Sequence, residues 1–371
     1  MRVKDHVEKV RYAVVGLGHI AQVAVLPAFA HARANSRLTA LVSDDPKKLR
    51  DLSKKYKVRH TYSYDQYRSC LGSGAIDAVY IALPNSMHAE FSIAAAQAGI
   101  HVLCEKPMAV TEKECQAMIR AAHRHRVKLM IAYRLHFEEA NMKAVEIVRS
   151  GKLGEPRLFD SLFTMQVKPG NIRTKAGLGG GTLYDIGIYC INAARYIFRE
   201  EPLEVFAYSA SKRDPRFVEI DEMTNAVMRF PGNRLASFTC SFGASDVSAY
   251  QVVGTQGYLR VDPAYEYAMA LKLHLTVHGT TQTRTFRKRD QFAPELLYFS
   301  NCIKKDLLPE PSGEEGLADV RLIRALYRSA GTGKAVKIQP IHGKKRPTIN
   351  QEIRRPAVAK PALVHVQSAS A

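Results

Sequence analysis

The first third of the chain alternates short apolar runs with stretches whose apolar residues recur at helical spacing. Val10–Gly16, Leu38–Ser43, Ile76–Leu83, His101–Glu105 and Lys128–Tyr133 read as buried strands. Between them, Ile20–Ala32, Asp45–Tyr56, Ser86–Gly99 and Thr111–His125 read as helices. Local chemistry agrees with that reading. Pro46 occupies a first-turn position, Thr111-x-x-Glu114 spells a capping box, and Gly99 closes a helix. Pro27 predicts a kink in the first helix. Strand–helix alternation at this spacing predicts a doubly wound parallel sheet, a Rossmann domain over residues 1–135.

After about residue 135 the rhythm changes. A helical stretch, Phe137–Ser150, is followed by a glycine-rich loop and a second helix, Thr182–Phe198. Strand-like runs follow at Glu204–Ser211, Thr224–Phe230, Leu235–Phe242, Ala249–Val253 and Tyr258–Val261. Turn signals such as Pro231-Gly232-Asn233 and Gly254-Thr255-Gln256-Gly257 join them. Strands connected so closely are expected to be mostly antiparallel. Helices around Glu295–Lys305 and Glu314–Ala330 close the region. The expected fold class is therefore α/β: an N-terminal Rossmann domain and, over 136–339, an α+β domain with a large, open, mostly antiparallel sheet.

Composition narrows the setting. The chain has 371 residues, with 46% hydrophobic and 24% charged, enough for two domains with ordinary cores. No apolar run approaches the ~18 residues a bilayer span needs. The first residues lack a signal-peptide pattern, so a cytoplasmic protein without membrane contact is expected. The six cysteines are scattered with no C-x-x-C pair, which suits reduced thiols. The net charge is +19, and part of it lies in residues 340–371, where six basic residues face one acidic. That tail is rich in Pro and Ala, lacks aromatics, and is expected to be disordered. A basic surface attracts anions, but no arginine–aromatic platform or zinc-finger spacing accompanies it, so no specific nucleic-acid partner is expected. His123 and His125 flank Arg124 at a helix end and read as complements of the helix dipole, with no metal site.

Candidate chemistry begins at Gly16-Leu17-Gly18-His19-Ile20-Ala21, a G-x-G-x-x-A run between the first strand and the first helix. Gly16 permits the tight turn, Gly18 lets backbone approach a pyrophosphate, and Ala21 lets helix and strand pack closely. Four more β-α units supply the context that makes this a dinucleotide site. At the end of the second strand two signals compete. Asp44 stands where an acid would take the ribose 2′-hydroxyl of NAD, while Ser43, Lys47 and Lys48 would hold a 2′-phosphate. In an open parallel sheet, ligands bind beyond the carboxyl ends of the strands. Leu83-Pro84-Asn85, with His88 beyond it, Glu105-Lys106-Pro107 and Tyr133-Arg134 all stand at such ends. There Lys106 leaves its strand on the cofactor side, and Glu105 is placed to line the nicotinamide ribose. His88 is a candidate for contact with substrate or nicotinamide. On the second helix Asp185 and Tyr189 are four apart and share a face, with Asn192 and Arg195 near it. The run Gly179-Gly180-Gly181 ahead of them would let a substrate approach backbone.

These stretches together resemble the Gfo/Idh/MocA oxidoreductases, and within them the glucose–fructose oxidoreductase branch. The likeness runs from about Val10 to Ile338 and rests on GLGHIA, DAVYIALPNSMHAEF, GIHVLCEKPMAV, KLMIAYRLHFE, GGGTLYDIGIYCINAARYIF and SGEEGLADVRLIRALY. Many members carry histidine four residues after the helix acid; the glucose–fructose branch has tyrosine there, as this chain has Tyr189. The resemblance implies that Lys106 bonds the reacting hydroxyl, Tyr189 takes or gives the proton, and Asp185 orients the sugar. It implies substrate contacts from Tyr133 and Arg134, and NADP as cofactor, with Ser43 and Lys48 on the 2′-phosphate. Asp44 keeps NAD as the alternative. The activity implied is hydride transfer between NADP(H) and a carbohydrate, as aldose C1 oxidation or ketose reduction. A sugar or polyol dehydrogenase with dissociable cofactor and a non-catalytic NAD(P)-binding sensor are the alternatives. The open sheet face is expected to make a homodimer or homotetramer. Loops 166–178 and 245–248 are expected to form the sugar-selecting walls.

Overall fold

Residues 9–341, 345–366 and 368 are described by the structure, a computed structural model. The first sheet is built from β1 (Val10–Val15), β2 (Ser36–Val42), β3 (His60–Tyr62), β4 (Ala78–Ile81), β5 (His101–Glu105) and β6 (Leu129–Ala132). Its order is β3-β2-β1-β4-β5-β6, and every pairing is parallel. All the strands therefore end on one side, and the order reverses between β1 and β4, where a crevice opens. The central strands are buried on both faces, which is why they read as unbroken apolar runs. The helix Glu112–Arg124 begins as expected, with the Thr111–Glu114 capping box formed in both directions. The first helix is shorter than predicted. Ala21–Val25 winds as a π-helical turn and passes into Leu26–Ala28, where Pro27 has no N–H to continue the ladder.

The second sheet has nine strands in the order β14-β13-β12-β11-β7-β10-β9-β8-β15. These are β7 (Pro156–Gln166), β8 (Glu204–Ala210), β9 (Met223–Phe230), β10 (Arg234–Ser241), β11 (Gly243–Gly254), β12 (Gly257–Val261), β13 (Leu271–Val277), β14 (Thr280–Phe286) and β15 (Val336–Lys337). Only β7 and β10 pair in parallel; the other pairings are antiparallel. Helices Ile188–Phe198 and Gly313–Thr332 pack on one face. The opposite face leaves Leu158, Leu162, Val227, Leu235 and Tyr258 exposed. The β13–β14 hairpin escapes sequence reading because Thr280–Thr285 is polar and exposed, an edge strand with no apolar alternation. No helix among the described residues is long and apolar enough to cross a membrane.

Of the tail expected to be disordered, residues 342–344, 367 and 369–371 lie, like residues 1–8, outside the described ones. The remainder is laid along both domains. Arg346 pairs with Glu201 and Glu315, Gln351 reaches Glu310, Asp290 N–H donates to the Arg355 carbonyl, and Val364 is bonded to Gln22. These contacts join the tail to residues remote in sequence, which tail composition does not report.

Beneath the helix Ile188–Phe198 lies a buried ion cluster. Arg195 has no exposed surface and bonds Glu201 at 2.7 Å, Glu315 at 2.8 Å and Asp319 at 2.5 Å. Asn192 donates to Glu315 and Asp319, and accepts from or faces His136 at 2.8 Å. Burial raises the Asp319 carboxyl to about 6, partly offset by Arg195 and reinforced by Glu315. Removing one member of such a set strands the others in a dry interior. Arg195→Met is expected to destabilise the chain by about 3–5 kcal/mol. Urea unfolding of the variant checks this, and a loss below about 1 kcal/mol would contradict the assignment.

Candidate active site

The strand ends of the first sheet face the second domain across a cleft of about 450 Å³. At one end lies the glycine loop. Gly16 has φ +90°, and a side chain there would bring its Cβ within 2.5 Å of the Ala82 carbonyl oxygen. A Cβ on Gly18 would meet nothing within 4 Å, so that flank is open to the cleft. The loop thus has a glycine that the fold requires and a second whose missing side chain leaves room for a group against the backbone. Leu17, His19 and Ile20 complete this lining, with Leu83, Pro84 and Asn85 opposite. These residues fit a dinucleotide, with the pyrophosphate over the loop.

At the far end of the glycine loop stand Ser43, Lys48 and Tyr64. Asp44 is not part of the lining: its carboxylate accepts the Tyr64 backbone N–H at 2.6 Å. At this strand end the acid is engaged by the Tyr64 backbone, while Ser43 and Lys48 line the cleft.

At the other end, β5 delivers Glu105 and Lys106. Glu105 accepts the Tyr80 hydroxyl at 2.8 Å, and burial pushes its carboxyl up against the opposing pull of Lys106. The Lys106 ammonium donates to the Asp185 backbone carbonyl at 2.7 Å and lies 3.5 Å from its carboxylate. Asp185 stands in a π-helical turn, Leu183–Gly187, which runs into the helix carrying Tyr189. Both side chains line the cleft, as their spacing predicts. Burial works to raise the Asp185 carboxyl, but the Arg173 and Lys106 cations outweigh it and hold the group below its ordinary value. Arg173 Nε donates to Asp185 at 2.6 Å.

Tyr189 sits between two cations. Lys106 Nζ lies 4.7 Å from its ring centroid, and the Arg134 guanidinium lies 5.1 Å from it. Arg134 also donates to the Tyr189 hydroxyl at 3.2 Å. It is held in turn by Gln291 and the Tyr265 carbonyl. Phe163, Met165, Asp246, Glu266 and Tyr267 form the second-domain wall, together with Ile172, Arg173 and Leu178. The loops expected to form the walls thus contribute Ile172, Arg173, Leu178 and Asp246.

The other candidates sit in packed surroundings. His88 is fully buried, with its ring nitrogens 2.8 Å from the Pro107 carbonyl and 2.9 Å from the Leu83 carbonyl. It staples the loops after β4 and β5 and stands at the back of the cleft lining. Tyr133 is buried outside that lining, stacked on His136. The glycine run is closely packed, with Gly180 also in the lining: a Cβ on Gly179, Gly180 or Gly181 would come within 2.5 Å of Val110, 2.4 Å of Arg173 or 2.4 Å of Tyr327. Asn192 and Arg195 belong to the ion cluster below the helix, away from the cleft lining. Arg173 and the aromatic pair Tyr265 and Tyr267 were not legible, because they come from a loop and a turn with no spacing relation to Lys106.

Two family models match the chain: an oxidoreductase family with an NAD-binding Rossmann fold over residues 10–133, and the GFO/IDH/MocA C-terminal domain over 141–260. A D-xylose 1-dehydrogenase [NADP(+)] of Haloarcula marismortui is 33% identical over 337 residues, 89% of this chain and 93% of that protein. The crystal structure of an aldose–aldose oxidoreductase from Caulobacter crescentus, complexed with glycerol, is 38% identical. It superposes with a TM-score of 0.85 over 89% of this chain and 100% of that one. A 3-ketoreductase from Actinomadura kijaniata, in complex with NADP and TDP-benzene, is 26% identical with a TM-score of 0.80, covering 87% of this chain and 98% of that one. With the glycine loop, the parallel sheet and the open second sheet already in place, the chain belongs to the Gfo/Idh/MocA oxidoreductase family.

Proposed function

We propose that the chain is an NADP-dependent oxidoreductase that moves a hydride between the nicotinamide and a hydroxyl-bearing carbon of a carbohydrate, foremost C1 of an aldose. The observation that carries this reading is Lys106, Asp185 and Tyr189 gathered at one end of the cleft whose other end is the glycine loop. The relatives' sugar and NADP chemistry supports it. The nicotinamide supplies or accepts the hydride when bound. Gly16–Ile20 would hold its pyrophosphate, Ser43 and Lys48 its 2′-phosphate, and Glu105 and Lys106 would flank its nicotinamide half.

The chain's own part is to hold a hydroxyl and move its proton. Tyr189 Oη is the proton acceptor in oxidation and the donor in reduction. Negative charge developing at that oxygen is met by fixed cations, Arg134 and Lys106, which need no reorganisation. An ammonium has three donors, and Asp185 engages two of them on Lys106, so one is left for the substrate hydroxyl. Asp185 keeps Lys106 in place and, held charged by Arg173, is itself an acceptor for a neighbouring sugar hydroxyl. The exposed apolar residues of the open sheet face support assembly as a homodimer or homotetramer. All six cysteines are free and buried, which supports a reducing compartment, the cytoplasm.

Tyr189→Phe keeps the ring and removes the proton carrier. Turnover of an aldose is expected to fall by ~10²–10⁴-fold, while NADPH titration shows undiminished binding. Near-normal turnover would remove Tyr189 from the proton transfer. Arg173→Met deletes a positive charge that favours the Asp185 carboxylate, so the Asp185 carboxyl rises. The acid limb of the kcat/KM profile is expected to move to higher pH; an unmoved limb would show that Asp185 ionisation does not govern activity. Lys48→Ala is expected to lower the preference for NADP over NAD by about tenfold to a hundredfold, read as the ratio of kcat/KM for the two cofactors.

A further inference from the structure

Beyond the second family model, which ends at residue 260, the chain keeps a segment that takes no part in the chemistry above. Val364–Val366 nevertheless lie beside the dinucleotide end of the cleft, where Ser368 joins the lining, and Val364 and His365 fasten this stretch to both walls. The first wall is the glycine loop. Gln22, directly after Ala21 of the glycine pattern, is 1% exposed. Its amide donates to the Val364 carbonyl at 2.9 Å and accepts the Val364 N–H at 2.8 Å. The same Nε2 donates to the Leu17 carbonyl at 3.0 Å, inside the loop itself. One buried side chain thus ties loop to tail.

The second wall is the start of helix Pro46–Tyr56. Asp45 caps that helix through Oδ1, and its Oδ2 lies 3.2 Å from His365 Nδ1. At the other end of the same helix, away from the cleft lining, Lys55 donates to the Ala362 carbonyl at 3.1 Å and guides the chain toward Val364. Ser43 and Lys48, which line the 2′-phosphate corner, flank Asp45 on either side in the sequence, and Ser368 reaches into the cleft lining. The charge of Lys360 acts on His19 of the glycine loop. A buried amide whose donor and acceptor are both spent on one partner residue fixes that partner, because an unpaired buried polar group is costly.

We propose that Val364–Val366, with Ser368, form a strap over the adenosine end of the cleft, adding binding residues for the phosphate-bearing half of the dinucleotide and holding it through successive turnovers. The proposal rests on the dinucleotide reading of the cleft. A group that covers a ligand without touching its reacting atoms acts on escape more than on chemistry, so the strap is read in the dissociation rate.

Three chains test this: the full chain, a chain ending at Ala359, and full-length Val364→Pro, which removes the N–H that Gln22 accepts. Each is checked for a folded state by circular dichroism and loaded with NADPH. Excess NADP is then added and the loss of bound-NADPH fluorescence is followed. Release is expected to be about tenfold faster or more in both altered chains, and NADPH is expected to survive gel filtration only on the full chain. Release within about twofold in all three overturns the strap. A full chain that binds no NADPH overturns the dinucleotide reading itself, an outcome distinct from binding with strap-independent release.

Discussion

The contact on which the site depends is the bond between the Lys106 ammonium and the backbone carbonyl and carboxylate of Asp185. Lys106 is the first residue after a strand of the parallel sheet, and Asp185 belongs to the first turn of a helix that packs on the second sheet. The two domains therefore meet in the cleft through Lys106 and both acceptors of Asp185, beside Arg134, which reaches Tyr189 and the Tyr265 carbonyl. Both side chains are largely shielded, at 12% and 19% exposed. Away from bulk water such a pair is screened little, so it holds its geometry where a surface pair would not. Arg173 adds a second cation on the free carboxylate oxygen, and the carboxyl stays ionised despite its burial.

The helix that carries Tyr189 is anchored at both ends by charge. Asp185 fixes its beginning to the first domain. Arg195, on the same helix, is locked among Glu201, Glu315 and Asp319, and Arg346 from the tail joins Glu201 and Glu315. Burying so many charges is tolerable only because each has partners. The result is a phenol whose ring has Lys106 and Arg134 over it and whose helix is held by the ion cluster. On the proposed reading of Tyr189 as proton carrier, such placement needs little reorganisation when the substrate arrives.

Much of this was legible in the sequence, for physical reasons that differ along the chain. The glycine loop was legible because tight turns and close approach demand glycine, and the structure shows Gly16 forced and Gly18 open. Lys106, Asp185 and Tyr189 were legible because strand ends and helical spacing place residues without knowledge of the rest of the fold. Burial was less legible: nothing in the sequence said that the His88 ring would be closed between the Leu83 and Pro107 carbonyls, or that Tyr133 would stack on His136. Arg173 could not be found, since only tertiary folding brings its loop to Asp185. The tail's contacts were not legible because they are made with Gln22, Glu310, Glu201 and Glu315, residues remote in sequence, and not through apolar periodicity of its own.

The central claim is that this chain transfers a hydride between an aldose C1 and a nicotinamide. The most direct measurement supplies NADP and D-xylose or D-glucose carrying deuterium at C1, then examines the reduced cofactor by NMR. The account predicts that absorbance near 340 nm rises and that the deuterium is found at C4 of the nicotinamide ring. Reduced cofactor without deuterium, or no reduction with either sugar, would contradict it.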